Sequence, residues 1–100
     1  MKARLLLREK LTDAEGDMLE LVVWQVPKGK KYPEGVRYRM AYVPQGSEDA
    51  AVVYDNHHPK GHHKHISAEE KPYSFKGVQR LLADFKKDVK KWKDKKRRPR

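Results

Sequence analysis

The 100-residue chain contains no cysteine, and this absence excludes two kinds of small protein at once. Without thiols it is neither a disulfide-stapled secreted domain nor a protein with a thiolate zinc site. A chain of this kind suits a reducing compartment, so we expect a cytoplasmic protein. Its length is sufficient for one domain with one modest core.

Long apolar runs are also missing. Near the start, Leu5, Leu6 and Leu7 stand between Arg4 and Arg8, which is too short for the apolar region of a signal peptide. Nothing in the chain approaches the ~20 apolar residues that a membrane span requires. The sequence therefore predicts a soluble protein with no membrane partner.

Acidic residues are few beside the basic ones. The chain has 14 Asp and Glu against 24 Lys and Arg, and its formal net charge is +10. Residues 86–100 hold ten of the basic residues with only Asp88 and Asp94 against them. Such a balance predicts a polyanionic partner, and a basic block of this kind commonly acts as an arm that binds nucleic acid. We therefore expect contact with RNA or DNA that weakens steeply with salt.

Four segments have the composition and alternation of β-strands. They are residues 3–11, 18–26, 36–43 and 50–54, and turns rich in Gly, Asp or Pro separate them. The second is apolar on both alternating faces, which is typical of a central strand. In the third, Arg37 and Arg39 share one face, opposite the apolar side chains.

One helix is predicted after the strands. Six apolar residues recur at helical spacing within an arc of about 100°: Val78, Leu81, Leu82, Phe85, Val89 and Trp92. The predicted fold class is α+β, a four-stranded antiparallel meander with one C-terminal helix packed on one face. We predict a single domain over residues 1–94 and a basic, frayed tail over residues 95–100.

All five histidines lie within residues 54–65, in the segment YDNHHPKGHHKH. Histidine can donate and accept a proton near neutral pH, and it is the commonest metal ligand. This histidine segment directly follows a predicted strand, and functional residues often lie in loops that follow rigid strands, so we expect the functional site in this segment.

One interpretation of the histidine segment is a small, metal-independent ribonuclease. One imidazole would take the proton of a 2′-hydroxyl, and a second would protonate the leaving 5′-oxygen. Lys60 and Lys64, together with Arg37 and Arg39, would stabilise the charge that builds on the phosphoryl oxygens.

Other groups of the segment have roles in the same hypothesis. Asp55 would accept a hydrogen bond from an imidazole and fix its tautomer. Tyr54 or Tyr73 would stack on a base or donate to a phosphate. Gly61 would let the backbone approach the phosphate, and Asn56 belongs to the same RNA-binding set.

A metal-dependent nuclease is the second interpretation, with His58, His62, His63 and His65 as ligands. No HExxH motif, cysteine pair or carboxylate pair accompanies them, so we expect no cofactor. A solvated histidine-rich loop without catalytic work is a third interpretation. A non-enzymatic module that binds nucleic acid or a partner protein through its basic tail is a fourth. Transfer of a nucleotide or another group onto RNA or protein is a further possibility, but the sequence contains no Gly-rich phosphate-binding loop to support it.

Five segments between residues 2 and 89 form a pattern shared with known proteins. They are KARLLLREKL, LELVVWQVP, RYRMAYV, YDNHHPKGHHKH and EEKPYSFKGVQRLLADFKKDV. The most specific parts are YDN at 54–56, PYxF at 72–75, and the KGxHxH spacing of Lys60, Gly61, His63 and His65. Together the segments resemble the TumE-like toxins of prokaryotic toxin–antitoxin pairs.

This resemblance implies a growth-inhibiting toxin whose partner is a small helix-turn-helix antitoxin encoded beside it. It assigns the site to His63 and His65, and leaves His57, His58 and His62 accessory or solvated. The function predicted is therefore a toxin that acts on RNA, and a homodimer is one oligomeric state left open.

Overall fold

The computed structural model describes residues 3–97, which form six strands and one helix. These elements are β1 (Arg4–Thr12), β2 (Met18–Gln25), β3 (Val36–Val43), β4 (Val52–Asp55), β5 (His63–Ile66), β6 (Glu69–Pro72) and α1 (Val78–Arg97). All six strands belong to one antiparallel sheet in the order β1-β2-β3-β4-β5-β6, so each strand pairs with the next along the chain. The antiparallel meander and the C-terminal helix are as predicted.

The predicted number of strands is wrong, because the sheet has six strands and not four. β5 and β6 come from segments for which the sequence pattern predicts no strand. Each has four residues, and most of these are His, Lys or Glu, so neither shows the β-branched and aromatic enrichment that marks a strand. A two-residue turn joins them, and Ser67 in that turn has a positive φ of 55°. Pairing with β4 and this tight turn place them in the sheet despite their composition.

The helix packs on one face of the sheet and encloses the core. The buried side chains come from alternate positions of β2, β3 and β4 and from the predicted stripe of the helix. They include Leu21, Val23, Tyr38, Met40, Tyr42, Val52, Tyr54, Leu81, Phe85 and Val89. We call the other side of the sheet the open face, and β3 presents Arg37 and Arg39 there, both exposed.

The helix begins directly after Gly77, whose φ of +101° suits glycine best. It continues through Arg97, so residues 95–97 of the predicted tail are helical, whereas the remainder of that tail lies outside the described residues. Basic residues in the last turns suit the negative end of the helix dipole. In the described part of the chain, no helix is long and apolar enough to cross a membrane.

Lys93 ties the end of the helix to the turn between β1 and β2. Its Nζ lies 2.5 Å from Asp13 Oδ2, 2.8 Å from Glu15 Oε1 and 3.8 Å from Asp17 Oδ2. The hydrogen bond to Asp13 raises the pKa of Lys93 and lowers that of the Asp13 carboxyl. This one ammonium therefore lies within 4 Å of three carboxylates that are remote from it in sequence.

Replacing Lys93 with Met is expected to lower the free energy of unfolding by about 2 kcal/mol, because the charge-assisted hydrogen bonds are lost. Since the pKa of Asp13 is lower in the folded state, its contribution is present above pH ~4 and is lost as the pH falls further. The variant should therefore lose less stability on acidification than the parent does. Urea unfolding at several pH values measures both effects. Lys90→Met removes an exposed pair with Asp94 and is the control, with an expected loss below about 0.5 kcal/mol.

Candidate active site on the open face

Strand register brings polar side chains together on the open face. Arg39, Asp55 and His63 are direct neighbours across β3, β4 and β5. His65 and Glu70 lie opposite each other on β5 and β6, two residues further along. Directly opposed residues of an antiparallel pair have Cβ atoms about 4.5–5.5 Å apart, so these groups form one contiguous cluster.

A shallow hollow of about 370 Å³ opens on this face of the sheet. Arg39, Asp55 and His65 line it, together with Asp49, Ala50, Val53 and Ser67. The His65 side chain is 36% exposed, whereas His63 beside it is 8% exposed. The two imidazole rings meet edge to face, with centroids 5.1 Å apart.

The tautomer of His63 follows from its hydrogen bond. Its Nδ1 lies 2.8 Å from the carbonyl oxygen of Gly61. Because a carbonyl oxygen only accepts, Nδ1 carries the hydrogen. The Nε2 of a neutral His63 therefore carries a lone pair that can accept a proton.

Glu70 connects a lysine to His65. Its Oε1 lies 2.5 Å from Lys60 Nζ and 3.5 Å from His65 Nε2. The hydrogen bond from Lys60 lowers the pKa of the Glu70 carboxyl, so Glu70 is anionic at neutral pH. This carboxylate holds the Lys60 ammonium beside His65 and offers that imidazole a negative neighbour.

A chain of contacts also connects Asp55, His57 and Arg37. Asp55 Oδ1 accepts hydrogen bonds from the His57 backbone N–H at 2.7 Å and from its ring Nδ1 at 3.0 Å. The guanidinium of Arg37 donates to His57 Nε2. Asp55 therefore does orient an imidazole, but that imidazole belongs to His57, which sequence reasoning set aside. A sequence signal for it exists, because an Asp that bonds the backbone two residues on forms an Asx-turn.

The match to a known protein family extends over most of the chain. The family model described as toxin TumE matches residues 2–93. The chain belongs to the TumE toxin family. This confirms the resemblance seen in the sequence, supports a toxin role and implies an antitoxin partner in general terms. No curated protein and no solved structure matches the chain.

Two tyrosines and one lysine predicted for the TumE site lie on the helix side of the sheet. Tyr54 is fully buried, and its hydroxyl donates to Asp88 and to the backbone oxygen of Asp84 at 3.2 Å. Lys64 Nζ lies 3.0 Å from Asp88 Oδ2, and the Tyr73 hydroxyl donates to Asp84 Oδ2 at 2.7 Å. Burial raises the pKa of Tyr54, which stays protonated. The structure therefore does not bring these three residues to the hollow.

Asn56, the last residue of the YDN motif, is 3% exposed and bonds to the backbone. Its Oδ1 accepts from the Tyr38 N–H at 2.8 Å, and its Nδ2 donates to the Val36 carbonyl at 2.8 Å. Gly61 has a φ of +74°, and its N–H closes the turn that starts at His57. Asn56 thus holds β4 against β3, and Gly61 positions His63 through its carbonyl.

The four histidines named as metal ligands are not all brought together, because of these four described residues only His63 and His65 have rings in contact with each other. His62 Nδ1 lies 2.9 Å from the Tyr38 hydroxyl, and its Nε2 lies 3.0 Å from Glu34 Oε1. Its ring stacks on Phe75 with centroids 4.9 Å apart, on the helix side, and its hydrogen bond lowers the pKa of Glu34. His58 is exposed in the turn after β4.

In residues 3–97, one group of three potential ligand atoms lies within 4.8 Å, and it contains no histidine. It consists of Asp13, Glu15 and Asp17, which already contact Lys93. The described structure therefore divides the four predicted ligands among the open face, the helix side and an exposed turn.

Proposed function

We propose that this TumE-family toxin cleaves RNA without a metal ion and that the open face carries the reaction. The observation that supports this is the shared hollow: His65 and Arg39 both line it, and the ring of His63 lies 5.1 Å from that of His65. Two imidazoles beside a guanidinium supply the acid, the base and the positive charge that phosphoryl transfer requires.

In this mechanism His63 is the general base. Its Nε2 takes the proton of the 2′-hydroxyl, the 2′-oxygen bonds to phosphorus, and the bond from phosphorus to the 5′-oxygen breaks. His65 in its protonated form gives a proton to that leaving oxygen, and the adjacent Glu70 carboxylate stabilises the imidazolium. The products are a 2′,3′-cyclic phosphate and a 5′-hydroxyl end.

One cation, Arg39, lines the hollow. Two more are connected to residues that line it, Lys60 through Glu70 to His65 and Arg37 through His57 to Asp55. Preorganised donors of this kind stabilise a transition state because they need no reorganisation when charge develops.

The test is to incubate the purified protein with total cellular RNA, with and without EDTA, and to determine the chemistry of the product ends. Cleavage that survives chelation and leaves cyclic phosphate and 5′-hydroxyl ends is the expected result. Cleavage that stops in EDTA contradicts the metal-free mechanism. Intact RNA under both conditions contradicts the ribonuclease proposal and favours a binding module.

Arg39→Gln is expected to lower kcat/KM for RNA cleavage by about 10²-fold, because one donor to the phosphoryl oxygens is removed. Arg8 is an exposed arginine on β1 outside the hollow, so Arg8→Gln makes the same change in charge away from the site. The two variants are compared in initial-rate assays at one salt concentration. An equal loss in both would mean that only net charge matters.

We further propose that the antitoxin of this protein is a helix-turn-helix protein encoded beside it and that both act in the cytoplasm, where RNA is available. A chain of net charge +10 favours a partner with an acidic segment, since complementary charge speeds association and limits wrong partners. Co-expression with the neighbouring gene product and co-purification tests this pairing.

A further inference from the structure

A second concave surface lies on the helix side of the sheet, between α1 and strands β5 and β6. We call it the helix groove, and its volume is about 690 Å³. Its lining includes one tryptophan and five lysines: Trp92, Lys64, Lys71, Lys91, Lys95 and Lys96. It lies on the opposite side of the sheet from the hollow of the open face, and Ser67, in the turn between β5 and β6, borders both.

The positive charge of the helix groove is largely uncompensated. The one carboxylate in its lining is Asp88, which is bound by Lys64 at 3.0 Å and by the Tyr54 hydroxyl. Among residues 3–97, no carboxylate lies within 4.0 Å of the ammonium groups of the other four lysines. A cleft lined by one sign of charge concentrates the field and attracts a polyanion.

Trp92 gives the helix groove a fixed aromatic ring. The ring packs edge-on against Tyr42 with centroids 5.6 Å apart, and it stays partly exposed. Lys96 Nζ lies 5.4 Å from its centroid. Lysines beside a positioned aromatic ring are the combination by which proteins bind single-stranded nucleic acid, since the lysines contact phosphates and the ring stacks on a base.

We propose that the helix groove binds single-stranded RNA through its phosphates and one stacked base, as a second contact site for the RNA that is cut on the open face. This inference rests on the proposed ribonuclease function. Lys91 and Lys95 are about 6 Å apart along the helix axis and can meet neighbouring phosphates. β5 links the two sites, because Lys64 lines the groove while His63 and His65 face the other way.

The first test measures RNA binding by fluorescence anisotropy with a labelled oligouridine of about 12 nucleotides, within the range of single-strand site sizes. The protein carries His65→Ala so that binding is measured without cleavage. In that background, Lys91→Gln with Lys95→Gln is expected to weaken binding about tenfold. It should also reduce the slope of log K against log salt by about 1.4, because two phosphate contacts are lost.

The matched control is Lys86→Gln with Lys90→Gln. These lysines have the same spacing on the same helix and make the same change in charge, but they do not line the groove. Their slope is expected to change much less. Circular dichroism must show that both double variants are folded. An equal loss of RNA affinity in both would overturn the inference, because it would indicate a general attraction of RNA to a basic helix.

A second measurement addresses the aromatic ring. The chain has two tryptophans, so Trp24→Phe leaves Trp92 as the single tryptophan, whose fluorescence is excited selectively over that of the five tyrosines at the red edge of the absorption band. Oligouridine is expected to quench it, and unchanged fluorescence at saturating RNA would overturn the stacking contact. Poly-glutamate is tested in the same way. If the Lys91/Lys95 variant loses poly-glutamate binding but keeps RNA binding, the groove binds an acidic polypeptide and the inference is wrong.

These measurements separate the groove from the reaction. If RNA binding depends on Lys91 and Lys95 but the parent protein, with His65 intact, cleaves no RNA, the ribonuclease proposal is overturned and the groove remains an RNA site. If the parent protein cleaves RNA but the Lys91 and Lys95 substitutions leave RNA binding unchanged, only the inference about the groove is overturned.

Discussion

Replacing His65 with Ala is expected to slow RNA cleavage by about 10³-fold, because general acid–base groups typically contribute 10²- to 10⁴-fold. The side chain is partly exposed and lines the hollow, so its loss should change the melting temperature little. The measurement is the initial rate of cleavage of a labelled oligonucleotide, with the melting temperature of the same preparation. Toxicity on expression should disappear in parallel, while the antitoxin complex still forms.

The control for His65 is His58→Ala, which removes one imidazole from an exposed turn outside the hollow. Its cleavage rate is expected to match that of the parent protein. His63→Ala should lose activity as His65→Ala does, with some loss of stability, because His63 is buried and bound to the Gly61 carbonyl. Undiminished cleavage in both His63→Ala and His65→Ala would contradict the proposed mechanism.

Asn56→Ala is expected to lower the free energy of unfolding by about 3 kcal/mol. It leaves the Tyr38 N–H and the Val36 carbonyl without their side-chain partner in a buried position, and each such loss costs about 1–3 kcal/mol. For a domain of this size, that corresponds to a fall in melting temperature of about 15 °C. Thermal and urea unfolding, followed by circular dichroism, measure the change.

Asn56→Asp is the informative companion variant, because it keeps the oxygen that accepts from the Tyr38 N–H and replaces the donor to Val36 with a second carboxylate oxygen. At neutral pH it also buries a negative charge against the Val36 carbonyl, so we expect a loss of stability at least as large as that of Asn56→Ala, and a smaller loss at acidic pH, where the carboxyl is protonated and can donate. The sequence placed Asn56 among the RNA-binding residues, whereas its contacts lie within the fold. If Asn56→Ala keeps the parent's stability and loses RNA affinity, the binding role is right and the structural one is wrong.

The parts of the fold that follow from the sequence are those with an apolar period. The alternation of β3 separated Arg37 and Arg39 from the core, and the spacing of the helix stripe from Leu81 to Val89 predicted the helix. β5 and β6 have no such period, since their side chains are polar on both faces. Their pairing depends on contacts made after β4 is in place, which local composition does not reveal.

The same gap explains which site residues were misplaced. With residues 63–66 read as a loop, no alternation separated Lys64 from His63 and His65, so all three were assigned to one site. Tyr54 was assigned to the same site as Asp55 because the predicted strand ended at Tyr54, whereas β4 includes both residues and neighbouring strand residues point to opposite faces. The contact between Asp55 and His57 depends on the conformation of the turn after β4. The sequence alone does not show which of the five histidines that turn brings to Asp55.

β5 also makes the protein sensitive to the length of the turn that precedes it. Because side chains alternate along a strand, a slip of β5 by one residue against β4 would exchange its two sides. Lys64 would then enter the hollow, while His63 and His65 would turn toward Asp88 and the helix. One inserted or deleted residue between His57 and Gly61 that shifted the register in this way would separate the two histidines from Arg39 and Asp55 with all four residues still present, whereas a two-residue shift would preserve the parity of the strand.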